Sequence, residues 1–241
     1  MTLAEKAYLA LRHDIVRGTW TPKQALKMAA LSKHYDMGFS PLREALSRLH
    51  SEGLVTLAPL RGFTVAPLSL DEMWDTVNLR ILIETEAFRL SIQTGKDDWE
   101  AGIVSSLHAL TLQSQRATSG NDDALWELER RHHTFHKQLV SACGSPRMMD
   151  YFERLYVDTE RYRIPLLLMG GTAKKRNIQA EHSQIAEAAI ARKTEAACKL
   201  LSEHYRLTAE TIERQATDTS GQISPQSKSR AIGKVKNKVR A

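Results

Sequence analysis

Four of the nine histidines stand where they could act together. His132 and His136 are four residues apart, so on a helix both imidazoles project from one face, while His133 is turned away by about 100°. His182 and His204 fall near the centres of two later helical stretches, and antiparallel packing brings helix centres together. Neutral imidazoles gathered around one point suit zinc, nickel, copper or ferrous iron, so His132, His136, His182 and His204 predict a mononuclear divalent transition-metal site. By spacing alone, the same side chains could instead be hydrogen-bonded core or surface residues.

A second stretch with chemistry in it runs from Ser40 to Gly53. Ser40 is suited to cap the first free N–H groups, Pro41 to take the first helical position, and Gly53 to end the helix in the left-handed conformation. Leu42, Ala45, Leu46 and Leu49 recur at i, i+3, i+4 and i+7, and burying that stripe leaves Ser40, Arg43, Ser47 and Arg48 outward. Residues 54–57 alternate as a strand, 58–62 are turn residues, and 63–65 return. A short helix with outward arginines, then a hairpin tipped by Arg61 and Gly62, is suited to reading a duplex. The first helical turn would enter the major groove and Arg61 would meet a phosphate or a minor-groove edge. The plain alternative is an amphipathic surface helix with solvated arginines; the compact succession from residue 4 to 66 favours DNA.

Charge is divided along the chain in a way that agrees with this. Residues 1–66 carry nine Lys/Arg against five Asp/Glu (+4), residues 67–215 carry 19 against 22 (−3), and residues 216–241 carry six against one (+5). A basic head and tail around an acidic body suit a head that meets phosphates and a body that binds something else. At 241 residues, 42% hydrophobic and 26% charged, the chain is long enough for two soluble domains. It contains no run of 18 apolar residues, and Glu5 and Lys6 stand where a signal peptide would be apolar, which predicts a cytoplasmic protein without a membrane span. Cys143 and Cys198 are too few for a disulfide framework and read as buried thiols.

The elements that must position these residues are mostly helices. Residues 4–17, stopped by Gly18, and about 26–34 precede the capped helix, giving the order helix, helix, helix, hairpin of a winged helix-turn-helix over residues 1–66. Pro67-Leu68-Ser69 is the linker, with Ser69 and Glu72 forming a capping box. Helical periodicity then covers about 71–94, 98–118, 122–142, 146–168, 174–192 and 194–214, predicting an all-α antiparallel bundle of six or seven helices over residues 67–215. Residues 216–241 read as a disordered basic tail, either solvated or in weak contact with DNA.

Pro41-Leu42-Arg43-Glu44-Ala45-Leu46, Glu52-Gly53-Leu54-Val55 and Arg61-Gly62-Phe63-Thr64-Val65 resemble the winged helix-turn-helix of the GntR family of bacterial transcription regulators. The resemblance implies that Arg43 contacts DNA and that Arg61-Gly62 is the wing tip. Gly38-Phe39-Ser40 stands where the family usually has a Ser-Arg-Thr type tripeptide, so one family contact is missing and the operator sequence does not carry over.

Downstream, His132-x-x-Phe135-His136, then Glu181-His182 and Ala196-Ala197 through His204 are similar to the FCD ligand-binding domain of the FadR-like branch. Many such domains bind a divalent metal through an Asp or Asn, a His four residues on, and two later histidines. His136, His182 and His204 match the histidines, and His132 replaces the Asp or Asn. Arg131-His132 and Cys143-Gly144-Ser145 resemble the repressors of carbon-starvation-induced genes, which implies a small organic acid effector such as a hydroxylated or plain dicarboxylate. Arg80 falls where the family often has a carboxylate-binding arginine, with Glu84 on the same face; the pair is either an effector clamp or a surface i, i+4 ion pair, and Tyr162 with Arg163 offers the same choice.

The expected function is a metabolite-responsive DNA-binding regulator, in the first instance a repressor, that binds a palindromic operator as a homodimer. A metal-dependent hydrolase is the rival from another class, but there is no His-Glu-x-x-His, nucleophile elbow or phosphate loop. An effector-free DNA-binding protein is the third reading.

Overall fold

The computed structural model describes residues 1–58, 62–116, 122–165 and 176–218. Its first unit holds α1 (Leu3–Arg17), α2 (Met28–Tyr35), α3 (Phe39–Ser51) and a hairpin of β1 (Val55–Ala58) and β2 (Gly62–Val65). Thr2 accepts a hydrogen bond from the Glu5 N–H at 3.1 Å and Gly18 closes α1 at φ +90°, a conformation that favours glycine. The strands pair antiparallel in the register Val55↔Val65 to Ala58↔Gly62, and residues 23–26 run along the other edge of β2, with the Leu26 N–H donating to the Phe63 carbonyl at 2.8 Å. Leu42, Ala45, Leu46 and Leu49 are buried as the stripe requires, against Leu11 and Leu31.

Two local expectations are corrected. Ser40 does not cap α3: the cap position is Gly38, the helix begins at Phe39, and no side chain caps it. Pro41 therefore sits third, still among the first-turn residues whose N–H groups lack helical partners, so it costs no hydrogen bond. Gly53 has φ +74° just past α3, as expected. Arg61 lies outside the described residues.

The second unit is an all-α bundle of α4 (Leu70–Thr94), α5 (Asp97–Arg116), α6 (Asp122–Val140), α7 (Pro146–Arg163), α8 (Ile178–Ile190) and α9 (Thr194–Asp218). Ser69 caps α4 through the Glu72 N–H, Ser145 caps α7 with Pro146 at its start, and Asn177 caps α8 through the Ala180 N–H. The Asn177 cap explains why α8 starts four residues later than periodicity suggests. Helix α9 runs on to Asp218, so residues 216–218 are helical rather than tail; the remainder of the basic tail lies outside the described residues. Phe88, Ile103, Phe135, Phe152, Ile185 and Leu201 fill the core, each fully buried Leu, Ile or Phe contributing roughly 1.5–3 kcal/mol. Both cysteines are buried and free. Among the described residues no helix is long and apolar enough to cross a membrane.

The last turn of α7 joins the two units. The Arg161 guanidinium donates to the Gly53 carbonyl at 3.0 Å and to the Pro67 carbonyl, so it is anchored rather than solvated. Glu160 pairs with Arg12 of α1, and His13 packs its ring 4.4 Å from that of Trp126 on α6.

Candidate metal centre and nucleic-acid interface

His132 and His136 leave one face of α6, His182 comes from α8 and His204 from α9, and one ring nitrogen of each lies within 4.8 Å of the others. Ring centroids are 4.5 Å apart for His132 and His136 and 4.7 Å for His182 and His204. His136, His182 and His204 are buried. Burial first, then neighbouring charge, drives the pKa values of His132, His136 and His182 well below the ordinary imidazole range; His204, partly supported by Glu181, falls to about 4. All four rings are neutral at pH 7.

Their hydrogen bonds fix which nitrogen carries the proton. Tyr156 donates its hydroxyl proton to Glu129 at 2.5 Å, so its oxygen can only accept from His132 Nδ1–H at 2.9 Å. Tyr205 likewise donates to Glu84 at 2.5 Å and accepts from His136 Nδ1–H at 3.1 Å. His204 Nδ1–H donates to the Glu181 carboxylate at 2.8 Å. Arg163 Nη1 lies 3.3 Å from His132 Nδ1 while one of its two N–H groups donates to Glu129 at 2.5 Å; the Tyr156 contact at 2.9 Å is the shorter of the two at His132 Nδ1. With Nδ1 protonated in this way, the neutral rings of His132, His136 and His204 leave Nε2 bare.

Two bare Nε2 atoms, those of His132 and His136, are only 3.1 Å apart. Lone pair against lone pair is repulsive, and one cation between them removes the repulsion: metal–nitrogen bonds of about 2.0–2.1 Å put neighbouring ligands about 3.0–3.4 Å apart. The Nε2 of His182 is also buried, with no hydrogen-bond partner among the described residues. The donor set therefore fits a divalent transition ion, with tyrosine and carboxylate partners behind each of three rings to orient them.

Around the histidines lie three buried or half-buried ion pairs. Arg80 Nε donates to Glu84 at 2.5 Å and its Nη1 to Thr159 at 3.0 Å, while Nη2 is buried without a hydrogen-bond partner among the described residues. Both partners are buried, so the surface ion-pair reading of Arg80 and Glu84 is overturned. Burial raises the Glu84 carboxyl above its usual range despite Arg80. Arg163 holds Glu129 through two parallel contacts of 2.5 Å; burial would raise the Glu129 carboxyl, but Arg163 and Tyr156 outweigh it and hold it low. Arg176 pairs with Glu181 beside His204, and Glu181 falls to about 2.

A cavity of about 190 Å³ opens beside His132, His182 and His204. Arg80 and Arg163 line it, Glu84 stands behind Arg80, and Tyr162 does not reach it. Consecutive helical residues point about 100° apart, so the turn that aims Arg163 inward aims Tyr162 at the cleft between the two units. Sequence reasoning missed Glu129, Tyr156, Glu181, Tyr205 and Arg176. Only Glu129, one turn before His132, and Glu181 and Tyr205, each beside a histidine, were within sight of a motif. Their partners lie on other helices, which spacing does not reveal.

In the first unit Ser40, Arg43 and Ser47 are exposed together along α3. Arg48 is exposed but held apart from them, with its guanidinium carbon 3.6 Å from the Tyr8 ring centroid and Nε 3.2 Å from Glu52. Gly62 opens β2 with φ +73°.

The sequence matches the family described as bacterial regulatory proteins, gntR family, over residues 3–65 and the FCD domain over residues 75–207. It is 36% identical over 203 residues to the uncharacterized HTH-type transcriptional regulator BphR of Paraburkholderia xenovorans, covering 84% of this chain and 82% of the relative. It is 34% identical over 212 residues to the HTH-type transcriptional repressor GlaR of Escherichia coli, covering 87% and 94%. Among solved structures, that of E. coli McbR/YncC shares the fold, with a TM-score of 0.70 at 20% identity over 89% of this chain and 99% of that one. The family and these relatives are transcriptional regulators, not enzymes, and the hydrolase reading falls with that. Winged unit, helical bundle and sequence together make the chain a member of the GntR family of transcriptional regulators, with an FCD effector-binding domain behind its helix-turn-helix.

Proposed function

We propose that the chain is a metabolite-responsive repressor whose bundle seats a divalent transition metal and a small organic acid. Residues 1–66 would read DNA, residues 67–218 would bind effector and dimerise, and the basic residues beyond Asp218 would add contacts to DNA. Ser40, Arg43 and Ser47 of α3, with Arg61 and Gly62 of the wing, are the proposed DNA contacts. Two copies would read a palindromic operator with half-sites one helical turn apart. One observation carries the metal assignment: a ring nitrogen of each of the four histidines lies within 4.8 Å of the others, and hydrogen bonds at Nδ1 of His132, His136 and His204 leave Nε2 of those rings free to ligate. His132 is the fourth ligand in place of the family's Asp or Asn. When bound, the metal supplies an electrophile for a carboxylate oxygen. Arg80, which keeps one buried donor in reserve, and Arg163 would hold the effector's charge.

The test is elemental analysis of the purified full-length chain together with its melting temperature before and after chelation. About one divalent ion per chain and a lower melting temperature on chelation are expected. A chain that takes up no zinc, nickel or manganese removes the metal from this reading. The repressor assignment is read separately, by whether an acid that raises the melting temperature also releases DNA.

A further inference from the structure

We infer that Phe39 reads sequence: its ring takes the C5-methyl group of a thymine in the major groove, close to the base pair that Arg43 contacts. The inference rests on the reading that the first turn of α3 enters that groove.

Of the five phenylalanines in the chain, Phe88, Phe135 and Phe152 are fully buried in the bundle and Phe63 packs against the core of the winged unit, whereas Phe39 is 51% exposed. Phenylalanine is among the residues most often buried, because an exposed ring forgoes the free energy of leaving water. Its place explains the exception. Phe39 is the first residue of α3, and Cα–Cβ bonds in a helix tilt toward the N-terminus, so the ring projects ahead of the end that a recognition helix turns toward base edges. Arg43, also exposed, follows four residues later on the same side of the helix. Nothing at this end repels a duplex: the first turn holds no acidic residue, and its N–H groups, with Gly38 at the cap position and no side chain capping them, suit a phosphate.

A benzyl ring makes no hydrogen bond, so it cannot distinguish bases by their donors and acceptors. The apolar group that the major groove offers is the thymine methyl. Against the polar edges of guanine, cytosine or adenine the ring would displace water without replacing its hydrogen bonds. A rise of about 1.5 Å per residue separates Phe39 from Arg43 by about 6 Å along α3, or roughly two base-pair steps of about 3.4 Å. The thymine is therefore within two base pairs of the pair that Arg43 reads. Burying one methyl-sized group is worth about fourfold in affinity.

The test is fluorescence anisotropy of the full-length chain on a duplex that it has selected from random sequence. Each thymine of a half-site is replaced in turn by deoxyuridine, which lacks the methyl and keeps every hydrogen-bonding group. The wild-type chain is expected to bind about fourfold more weakly when one of them is replaced. Phe39→Ala and Phe39→Ser should bind the thymine and deoxyuridine duplexes equally and melt at the wild-type temperature. Arg43→Ala should weaken binding to both duplexes and keep the ratio between them. A wild-type chain indifferent to every replacement overturns the inference, as does a ratio that survives both Phe39 substitutions. If Arg43→Ala weakens binding while no methyl matters, the inference fails and the DNA reading of α3 stands. If neither the Arg43 nor the Phe39 substitutions alter affinity, α3 is not the reading helix and both fail.

Discussion

Arg12 of α1 and Glu160 of α7, 148 residues apart, form an ion pair that ties the winged unit to the bundle. Glu160 is 4% exposed, and it is three residues from Arg163, whose partner Glu129 is three residues from His132. A run of paired charges thus extends from the histidine cluster to the helix that backs α3. Glu160, Arg163 and Glu129 are buried and Arg12 is half-buried, so each charge depends on its partner for compensation.

Glu160→Gln should loosen the winged unit from the bundle, at a cost of about 1–3 kcal/mol because Arg12 loses its ion-pair partner in a partly desolvated place. Calorimetry is expected to split one melting transition into two, the earlier from the winged unit. A single transition at the wild-type temperature would show that the pair carries no such linkage.

Tyr205→Phe deletes the oxygen that accepts from His136 Nδ1–H, freeing that ring to rotate and change tautomer. Metal affinity is expected to fall about 10- to 100-fold, as for other partners that orient ligands. Competition against a chromogenic chelator measures it, and unaltered affinity would dismiss the tyrosine as an orienting group.

The metal-free chain should lose stability as pH falls from about 6.5 toward 4. The folded histidines titrate below the unfolded value, His204 at about 4, so in this window the unfolded chain binds protons that the folded one refuses. Stability therefore rises with pH and levels off above about 6.5, each such histidine contributing up to about 1.4 kcal/mol per pH unit below it. Urea unfolding between pH 7.5 and 5 reads the slope; a flat profile would contradict the neutral, buried cluster.

Arg43→Ala is expected to weaken binding to a DNA fragment selected by the wild-type chain by about 1–3 kcal/mol, roughly 5- to 150-fold. Arg48→Ala should instead lower the melting temperature, because its guanidinium covers Tyr8 and pairs with Glu52. Fluorescence anisotropy and thermal melts on the same two variants separate the roles, and equal losses of DNA affinity would place both arginines at the duplex.

What the sequence determined by itself is whatever a few neighbouring residues decide. The stripe Leu42-Ala45-Leu46-Leu49, the Ser69 cap and the left-handed glycines at 18 and 53 specify helices and their ends through contacts within one turn. The same locality put His132 and His136 on one face, and mid-helix placement made His182 and His204 candidates to meet them. Tertiary structure alone decided what depends on how each helix is rotated against the next. It turned Arg163 into the cavity and Tyr162 out of it, and gave Arg161 to the carbonyls of Gly53 and Pro67. It also set Glu129, Glu84 and Glu181 behind the rings. Those carboxylates reach their partners across helix interfaces, where no local periodicity constrains them, and the proton positions that leave three nitrogens bare exist only once those interfaces form.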